Sequence, residues 1–372
     1  MRPLFFGLPL LAAAHAAHAQ GGPGVITLDM PPPGGEGLTA LQTGGAFPTG
    51  ATSLYYNPAL LVELQGATGS QAHFSRSSWD LMPGNDFGMK QTFTAGAVFL
   101  PLAGGLDLGV GFFRNRSDLG ESILSDSGTT TEDHETVHGL GLGVRVLGPF
   151  SVGVTAKHYE SNIGTATAKG WALDAGALYY QPFQPFSAYG VRSLELVSSA
   201  GIAWVNNGKS VRYPGGEGSD PLPEALHYST GASVDLADVV RGAWSWEWTQ
   251  ATHRRADSRD PIQLTYARHL SVLGFGLGWG RLVDPAGGRY ETHRSREVAV
   301  DLLGYYRVFN RLRKMDWTGS SEVQEMGYPF PTLSVLGISY RFNPRFVIGE
   351  RRVSNVEGAR FGPYTPYFAF SL

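Results

Sequence analysis

Between Arg241 and Leu282 the chain twice writes an alternation in which every second residue is large and apolar. It reads first Trp244-Ser245-Trp246-Glu247-Trp248-Thr249 and then Leu273-Gly274-Phe275-Gly276-Leu277-Gly278-Trp279-Gly280. Successive side chains of a strand point to opposite faces, so one face of each segment is greasy and the other is polar or bare. Such a strand wants hydrocarbon on one side and water or small-residue packing on the other, the pattern of a transmembrane β-barrel wall. The bare face of Gly274, Gly276, Gly278 and Gly280 leaves room for a segment pressed against the lumen.

The rest of the composition agrees with a barrel and excludes its competitors. Downstream of Gln20 no apolar run approaches the roughly 20 residues a membrane helix needs, and a closed barrel is the other way to satisfy every backbone group in lipid. Fifty glycines and 23 prolines do not signal disorder, because the glycines recur at alternate positions inside apolar segments and 12% of residues are aromatic. The absence of cysteine removes disulfides and thiolate chemistry and is compatible with an oxidising compartment.

The first residues read as an export signal: the cationic start Met1-Arg2, an apolar stretch from Leu4 to Ala14, and the small-residue site Ala17-His18-Ala19, with cleavage expected before Gln20. Loss of Arg2 leaves 28 of the 29 basic residues against 32 acidic ones, a near-balance that gives no electrostatic case for nucleic acid. The expected organisation is a signal peptide over 1–19, a periplasmic extension and N-terminal plug over 20–65, and a barrel over 66–372. The destination is a Gram-negative outer membrane, with its lipid as a partner.

Segments of about ten residues with period-two patterning, each ended by turn residues, number fourteen. They lie near 66–77, 88–100, 105–116, 136–147, 150–160, 169–181, 194–206, 225–236, 241–251, 261–270, 272–282, 295–307, 332–342 and 361–372. Short connections are expected at Pro101 to Gly104, Gly148-Pro149, Ala237 to Val240 and a reversal at Leu270-Ser271. Long outer loops are expected at Asn115 to Glu135, Asn207 to Glu224, Val283 to Arg294 and Asn343 to Arg360. Pro182 to Ser193 and Phe309 to Pro331 stand out as long connections on the short-turn side, the second with room for a small helix bearing Leu312 and Met315. Pro363 and Pro366 interrupt the last strand, so its pairing should begin properly only near Tyr367.

Parity within the strands sends Leu108, Val110 and Phe112 to lipid and Asp107, Gly109 and Gly111 inward. By the same count Asp107, Arg145, Asp174, Glu247 and Asp301 face the lumen, where charges can pair across the interior. Tyr179, Tyr180, Tyr305, Tyr306 and the tryptophans read as interface girdle residues. Catalytic patterns are missing: no GxSxG, HExxH or GxxxxGK[ST] run occurs, and Gly139 to Gly143 is strand alternation. His134 and His138, beside Glu132, Asp133 and Glu135, flank a strand and read as solvated residues rather than a metal site. The sequence therefore predicts neither an enzyme nor a cofactor.

Ahead of the first strand come Gly44-Gly45-Ala46-Phe47 and then Leu54-Tyr55-Tyr56-Asn57-Pro58-Ala59-Leu60-Leu61. Lys169 to Tyr179 contains Leu173-Asp174-Ala175-Gly176-Ala177-Leu178-Tyr179, and Leu222-Pro223-Glu224 leads to Ser229-Thr230-Gly231-Ala232-Ser233. Taken together these stretches resemble the PorV/PorQ family of outer-membrane proteins, relatives of the FadL-type fourteen-stranded barrels. The resemblance implies that Gly44, Gly45, Asn57, Pro58 and Ala59 form a plug motif. It further implies a role in type IX secretion, with cargo received through C-terminal signal domains and the long loops as docking rim. The FadL relationship allows a second reading, transport of hydrophobic small molecules through a pocket between plug and wall.

Overall fold

A computed structural model describes residues 25–28, 46–48, 50–64, 70–80, 88–102, 107–123, 130–188, 191–214, 219–236, 239–255, 262–279, 282–283, 291–292, 296–315, 321–330, 334–343, 346–354 and 361–371. The signal segment, the glycine- and proline-rich stretch to Gly37 apart from Val25 to Leu28, and Gly44 and Gly45 lie outside the described residues.

The strands are β1 (Ser70–Asp80), β2 (Gly88–Pro101), β3 (Asp107–Ile123), β4 (Thr130–Leu147), β5 (Phe150–Ile163), β6 (Ala166–Ala188), β7 (Val191–Gly208), β8 (Ala225–Leu236) and β9 (Val240–Arg255). They continue with β10 (Ile262–Trp279), the two-residue β11 (Leu282–Val283) and β12 (Glu291–Thr292), β13 (Arg296–Met315), β14 (Ser321–Phe330), β15 (Ser334–Asn343), β16 (Phe346–Ser354) and β17 (Phe361–Ser371). Each of β1 to β10 pairs antiparallel with the next; β10 pairs β13, β13 pairs both β14 and β15, and β15, β16 and β17 follow in order until β17 returns to β1. Because β14 and β15 lie end to end along β13, opposite Tyr306 to Met315 and Glu297 to Leu303, they form one interrupted wall position. The sheet thus closes as a fourteen-stranded antiparallel barrel. Closure removes most of the free edge a membrane wall must avoid; among the described residues β14 pairs with β13 alone, and β1 meets β17 over Gln71 to Ser75.

Fourteen is the expected number, reached through two compensating differences. The segments 261–270 and 272–282 are a single strand, β10, with a register shift at Ser271/Val272. The extra residue belongs to the partner strand: Ser271 pairs with Tyr305 and Val272 with Leu303, passing over Gly304 of β13, while β10 runs unbroken against β9. The strand gained is β16, which lies inside the expected loop from Asn343 to Arg360. A run of charges hides it: Glu350-Arg351-Arg352 interrupts the apolar count.

Merging β10 also reassigns the ends of the molecule. Gly278 donates its amide to the Val239 carbonyl at 2.7 Å, so β10 finishes beside the β8–β9 turn. That end carries the short connections, and we call it the turn end; the opposite end is the loop end. The connection after Trp279, expected among the outer loops, leaves from the turn end. The segment after Phe309, expected there as a long connection with a helix, is instead the β13–β14 hairpin at the loop end. The Pro182 to Ser193 exception disappears too, since β6 and β7 run on to Ala188 and Val191. Most of the expected loop from Asn115 to Glu135 is strand, a polar extension of β3 and β4.

Burial alternates with residue number. On β4 the pattern from His134 to Leu142 is strictly in and out, and Phe112, Leu140, Val154 and Trp171 are each more than half exposed on the outside. Scattered exposed leucines are ordinary on a soluble protein, but an apolar band running around a closed sheet is a lipid-facing surface. No helix among the described residues is long and apolar enough to cross a membrane, and the crossing is made by strands.

Candidate functional site

The N-terminal segment lies inside the barrel. Ser53–Tyr56 forms one helical turn and Pro58–Glu63 a 3-10 turn, both buried almost throughout. Asn57 sits between them in extended conformation (φ −153°, ψ 106°) and its Oδ1 accepts from the Ala59 amide at 3.1 Å, capping the second turn. Proline at the first position of that turn loses no hydrogen bond, because the first amides of a helix have no partner within it. Asn57 Nδ2 donates across to the Ala177 carbonyl on β6 at 3.2 Å, and the Ala59 carbonyl accepts from Ser151 Oγ on β5 at 3.1 Å.

Glycine determines where the segment can dock. A methyl group added to Gly109 on β3 would stand 2.5 Å from the Leu61 carbonyl carbon, and one on Gly143 of β4 would stand 2.7 Å from the Pro58 carbonyl oxygen. Gly153 on β5 faces the Pro58–Ala59 backbone in the same way, and Gly176 on β6 faces Asn57. The plug therefore rests on β3 to β6. Gly274, Gly276 and Gly278 face inward and are buried, but the glycines described against the Ser53–Glu63 turns lie on β3 to β6, and Phe47 meets Gly231 on β8.

Above this turn the lumen is filled by an apolar cluster. Tyr55 meets Phe93 edge-on at 6.3 Å and Phe113 at 5.8 Å, while Phe93 and Phe113 stack at 5.7 Å. Val25 and Leu28 join from the start of the chain, and Val211, Leu222 and Tyr213 join from the β7–β8 connection. That connection, expected to stand outside as a loop from Asn207 to Glu224, turns inward because it carries these apolar residues. Burial pushes the Tyr213 hydroxyl well above its ordinary range.

Three polar clusters fasten these pieces. Glu135 on β4 accepts from both the amide and the hydroxyl of Thr27 at 2.8 Å, and from Ser161 at 3.0 Å. Lys157 on β5 and Asp174 on β6 pair at 2.7 Å, both essentially without solvent exposure. Lys157 also donates to Asn206 Oδ1 at 2.8 Å and lies 5.1 Å from the Tyr55 ring centre. Asn206 has φ 59° at a register shift where β6 passes over Asp174 and β7 over Val205 and Asn206. Asparagine tolerates that left-handed conformation better than most residues. The bulge turns the residue inward: its amide donates to Asp174 at 2.8 Å, and its side chain donates to the carbonyls of Leu28 and Pro223 at 3.1 and 3.0 Å. Wall, N-terminal segment and β7–β8 connection thus meet at one side chain.

Nearer the turn end, Arg145 bridges Glu63 at 3.0 Å and Asp107 at 3.0 Å. Burial is the dominant influence on Glu63 and outweighs the arginine, lifting its carboxyl from 4.5 to about 7. Glu247 approaches His227 at 3.3 Å and accepts from Thr249 at 3.1 Å. A cavity of about 80 Å³ lies under Phe47 and Pro48, against Tyr180, Glu195, Asp235 and Arg241.

The five charges singled out by parity do not form one network. Asp107 and Arg145 share one cluster, Asp174 belongs to a second and Glu247 to a third, while the Asp301 side chain lies outside the described residues. Parity applied evenly would also have found Lys157 and Glu135, which follow Thr155 and Asp133 at inward positions. Asn206 was beyond that rule, because a bulge changes which face a residue takes. Tyr180, expected in the girdle, lines the cavity; adjacent strand residues cannot both face lipid, and Tyr179 takes the outer place against Phe150 at 5.2 Å. Asp133 and Glu135 face inward while His134 and His138 face outward, so alternation divides that group between two surfaces.

No protein-family model and no curated protein matches the chain. Among solved structures it is similar to the toluene transporter TbuX of Ralstonia pickettii, at 11% identity and a TM-score of 0.41 over 90% of this chain and 97% of that one. It is also similar to the toluene transporter TodX of Pseudomonas putida, at 10% identity and 0.39 over 94% and 96%. The monoaromatic hydrocarbon channel CymD follows at 13% and 0.33 over 91% and 98%. The barrel assignment stands on the strand pairing itself.

Proposed function

We propose that the chain is an outer-membrane transporter of small hydrophobic solutes, exported by its N-terminal signal, rather than a carrier of secreted proteins. The observation that carries this reading is the position of the β1–β17 seam. Its described register runs only from Gln71↔Ser371 to Ser75↔Tyr367. Beyond that rung β1 continues with β2 to Asp80, and β17 continues with β16 back to Phe361. Pro363 and Pro366 lie in this stretch, where proline cannot donate to a ladder.

The last closed rung is next to the aromatic cluster. Ser75 pairs with Tyr367 on one side and with Phe93 on the other. An apolar solute leaving the membrane through the split would reach Phe93, Phe113 and Tyr55 within one strand's width. The plug beneath is held by hydrogen bonds and packing rather than by strand pairing, so it can yield without opening the wall. A secretion role would rest on the outer loops as docking rim, yet β3 and β4 consume most of one and the lumen takes in much of the other.

The native chain has no cysteine, so paired cysteines introduced at Arg76 and Pro366 can be joined by a thiol crosslinker without background. Crosslinking is expected to abolish uptake of a radiolabelled monoaromatic hydrocarbon, and a reducible linker to restore it on reduction. Unchanged uptake by the crosslinked barrel, or by cells lacking the gene, refutes the reading. Loss of surface-anchored cargo on deletion would favour secretion instead.

A further inference from the structure

The outer face of the barrel changes character along β1 to β6. The last apolar row across these strands is Phe112, Leu140, Ala156 and Leu173, linked by their cross-strand registers. One row nearer the loop end stand Arg114, His138, His158 and Trp171. The next contains Arg76, Arg116, Glu160 and Lys169, and the one beyond it Lys90, Asp118 and His134. Two acids in this area are spoken for, Asp118 by Arg116 at 2.8 Å and Glu160 by Lys169 at 2.9 Å. Arg76, Lys90 and Arg114 are exposed and have no carboxylate within ion-pair distance among the described residues.

The opposite rim is different. Toward the turn end the outward residues are Leu100, Val146, Phe150, Tyr179 and Phe183, and no described lysine or arginine points outward there. A tilted strand crosses the hydrocarbon in about 10 residues, so counting from Phe150 puts Glu160 and its row at the far edge of the bilayer. Arginine and lysine can bury their stems against apolar neighbours and lift the charge to the headgroups.

We infer that this face is a docking site for a phosphorylated glycolipid of the loop-end leaflet, with Arg76, Lys90 and Arg114 binding its phosphates. Guanidinium and ammonium groups on phosphate make charge-assisted hydrogen bonds, and arginine does so in bidentate geometry. A lipid fits better than a soluble anion because the charges begin in the row next to the lipid-facing apolar band and point out of the wall. His158, 4.9 Å from Trp171, and the indole itself occupy the level where acyl chain gives way to headgroup. This inference rests on the membrane barrel and not on what the lumen carries.

The test uses the full-length barrel in detergent micelles containing a diphosphorylated diglucosamine lipid or its phosphate-free form, with bound lipid counted by native mass spectrometry. The triple variant R76A/K90A/R114A is expected to lose affinity about a hundredfold, at roughly one decade or less for each surface cation. The charge-keeping variant R76K/R114K should retain most binding. Heat-modifiable gel migration confirms that each variant is folded. Equal binding by the triple variant, equal binding of the phosphate-free lipid, or displacement of the lipid by millimolar inorganic phosphate overturns the proposal.

Discussion

At the scale of single residues, two kinds of side chain decide the interior: absent ones and buried charged ones. A Cβ at Gly109 would press on the main chain of Leu61, which cannot rotate away as a side-chain tip can. Gly109→Ala is therefore expected to cost the docked plug about 1–3 kcal/mol of overpacking. The measurement is protease access to residues 50–64 or single-channel conductance, both of which should rise while the barrel stays heat-modifiable. Gly242→Ala is the control, since a methyl there meets Val234 at an ordinary 3.5 Å. The Lys157–Asp174 pair behaves differently, because removing one member leaves a charge in a dry interior. Lys157→Met is expected to destabilise by about 3–5 kcal/mol in urea unfolding from lipid, and Lys157→Met with Asp174→Leu to recover much of that loss. If the two single losses simply add in the double variant, the pair is not coupled.

At the scale of elements, the plug turn carries its own pH dependence. Glu63 has a docked pKa of about 7 against 4.5 when free, with burial as the main cause. The docked state thus binds more protons than the released one between these values, and docking weakens as pH rises through that window. Protease access to the plug should increase from pH 4.5 to 7 and level off above. Glu63→Gln should flatten the profile, and a profile unchanged by that substitution would show that another group titrates. Among the strands, legibility followed the clarity of alternation. β4 and β5 read correctly because every inward position from Gly139 to Gly153 is small or polar and every outward one is apolar. β10 reads as two segments because its apolar residues change parity near Ser271, from Leu264, Tyr266 and Leu270 to Leu273, Phe275 and Leu277, although the strand runs on; β16 is hidden because charges interrupt its apolar positions.

At the scale of the whole molecule, the exposed indoles report on the wall. Trp171, Trp204, Trp244 and Trp279 are all substantially exposed on the outer face. In vesicles with brominated acyl chains their fluorescence is expected to be quenched, and replacing these four together with Trp246 and Trp248, which share the outward parity of Trp244 on β9, with phenylalanine should remove most of the quenching. Quenching that survives the substitution would place the lipid contact elsewhere. Segments from the N-terminus, the plug turn and the β7–β8 connection share one apolar cluster inside the described lumen. On the proposed transport reading, solute passage requires movement of those segments, and Asn206, bonded to wall, N-terminal segment and connection alike, is the natural point of control.

The sequence by itself determined that the chain is a membrane barrel, because lipid on one side and a packed lumen on the other impose a period of two that no helix satisfies; its count of fourteen strands agrees with the structure because the division of β10 and the omission of β16 cancel. It also determined most inward and outward positions, which follow from that period alone. Only the tertiary structure decided which glycines receive the plug, which charges become partners and where the wall is incompletely paired. Those are properties of register and of bulges, and residues such as Glu135 and Thr27, or Ser75 and Tyr367, meet because of how distant strands align rather than because of anything in their neighbours along the chain.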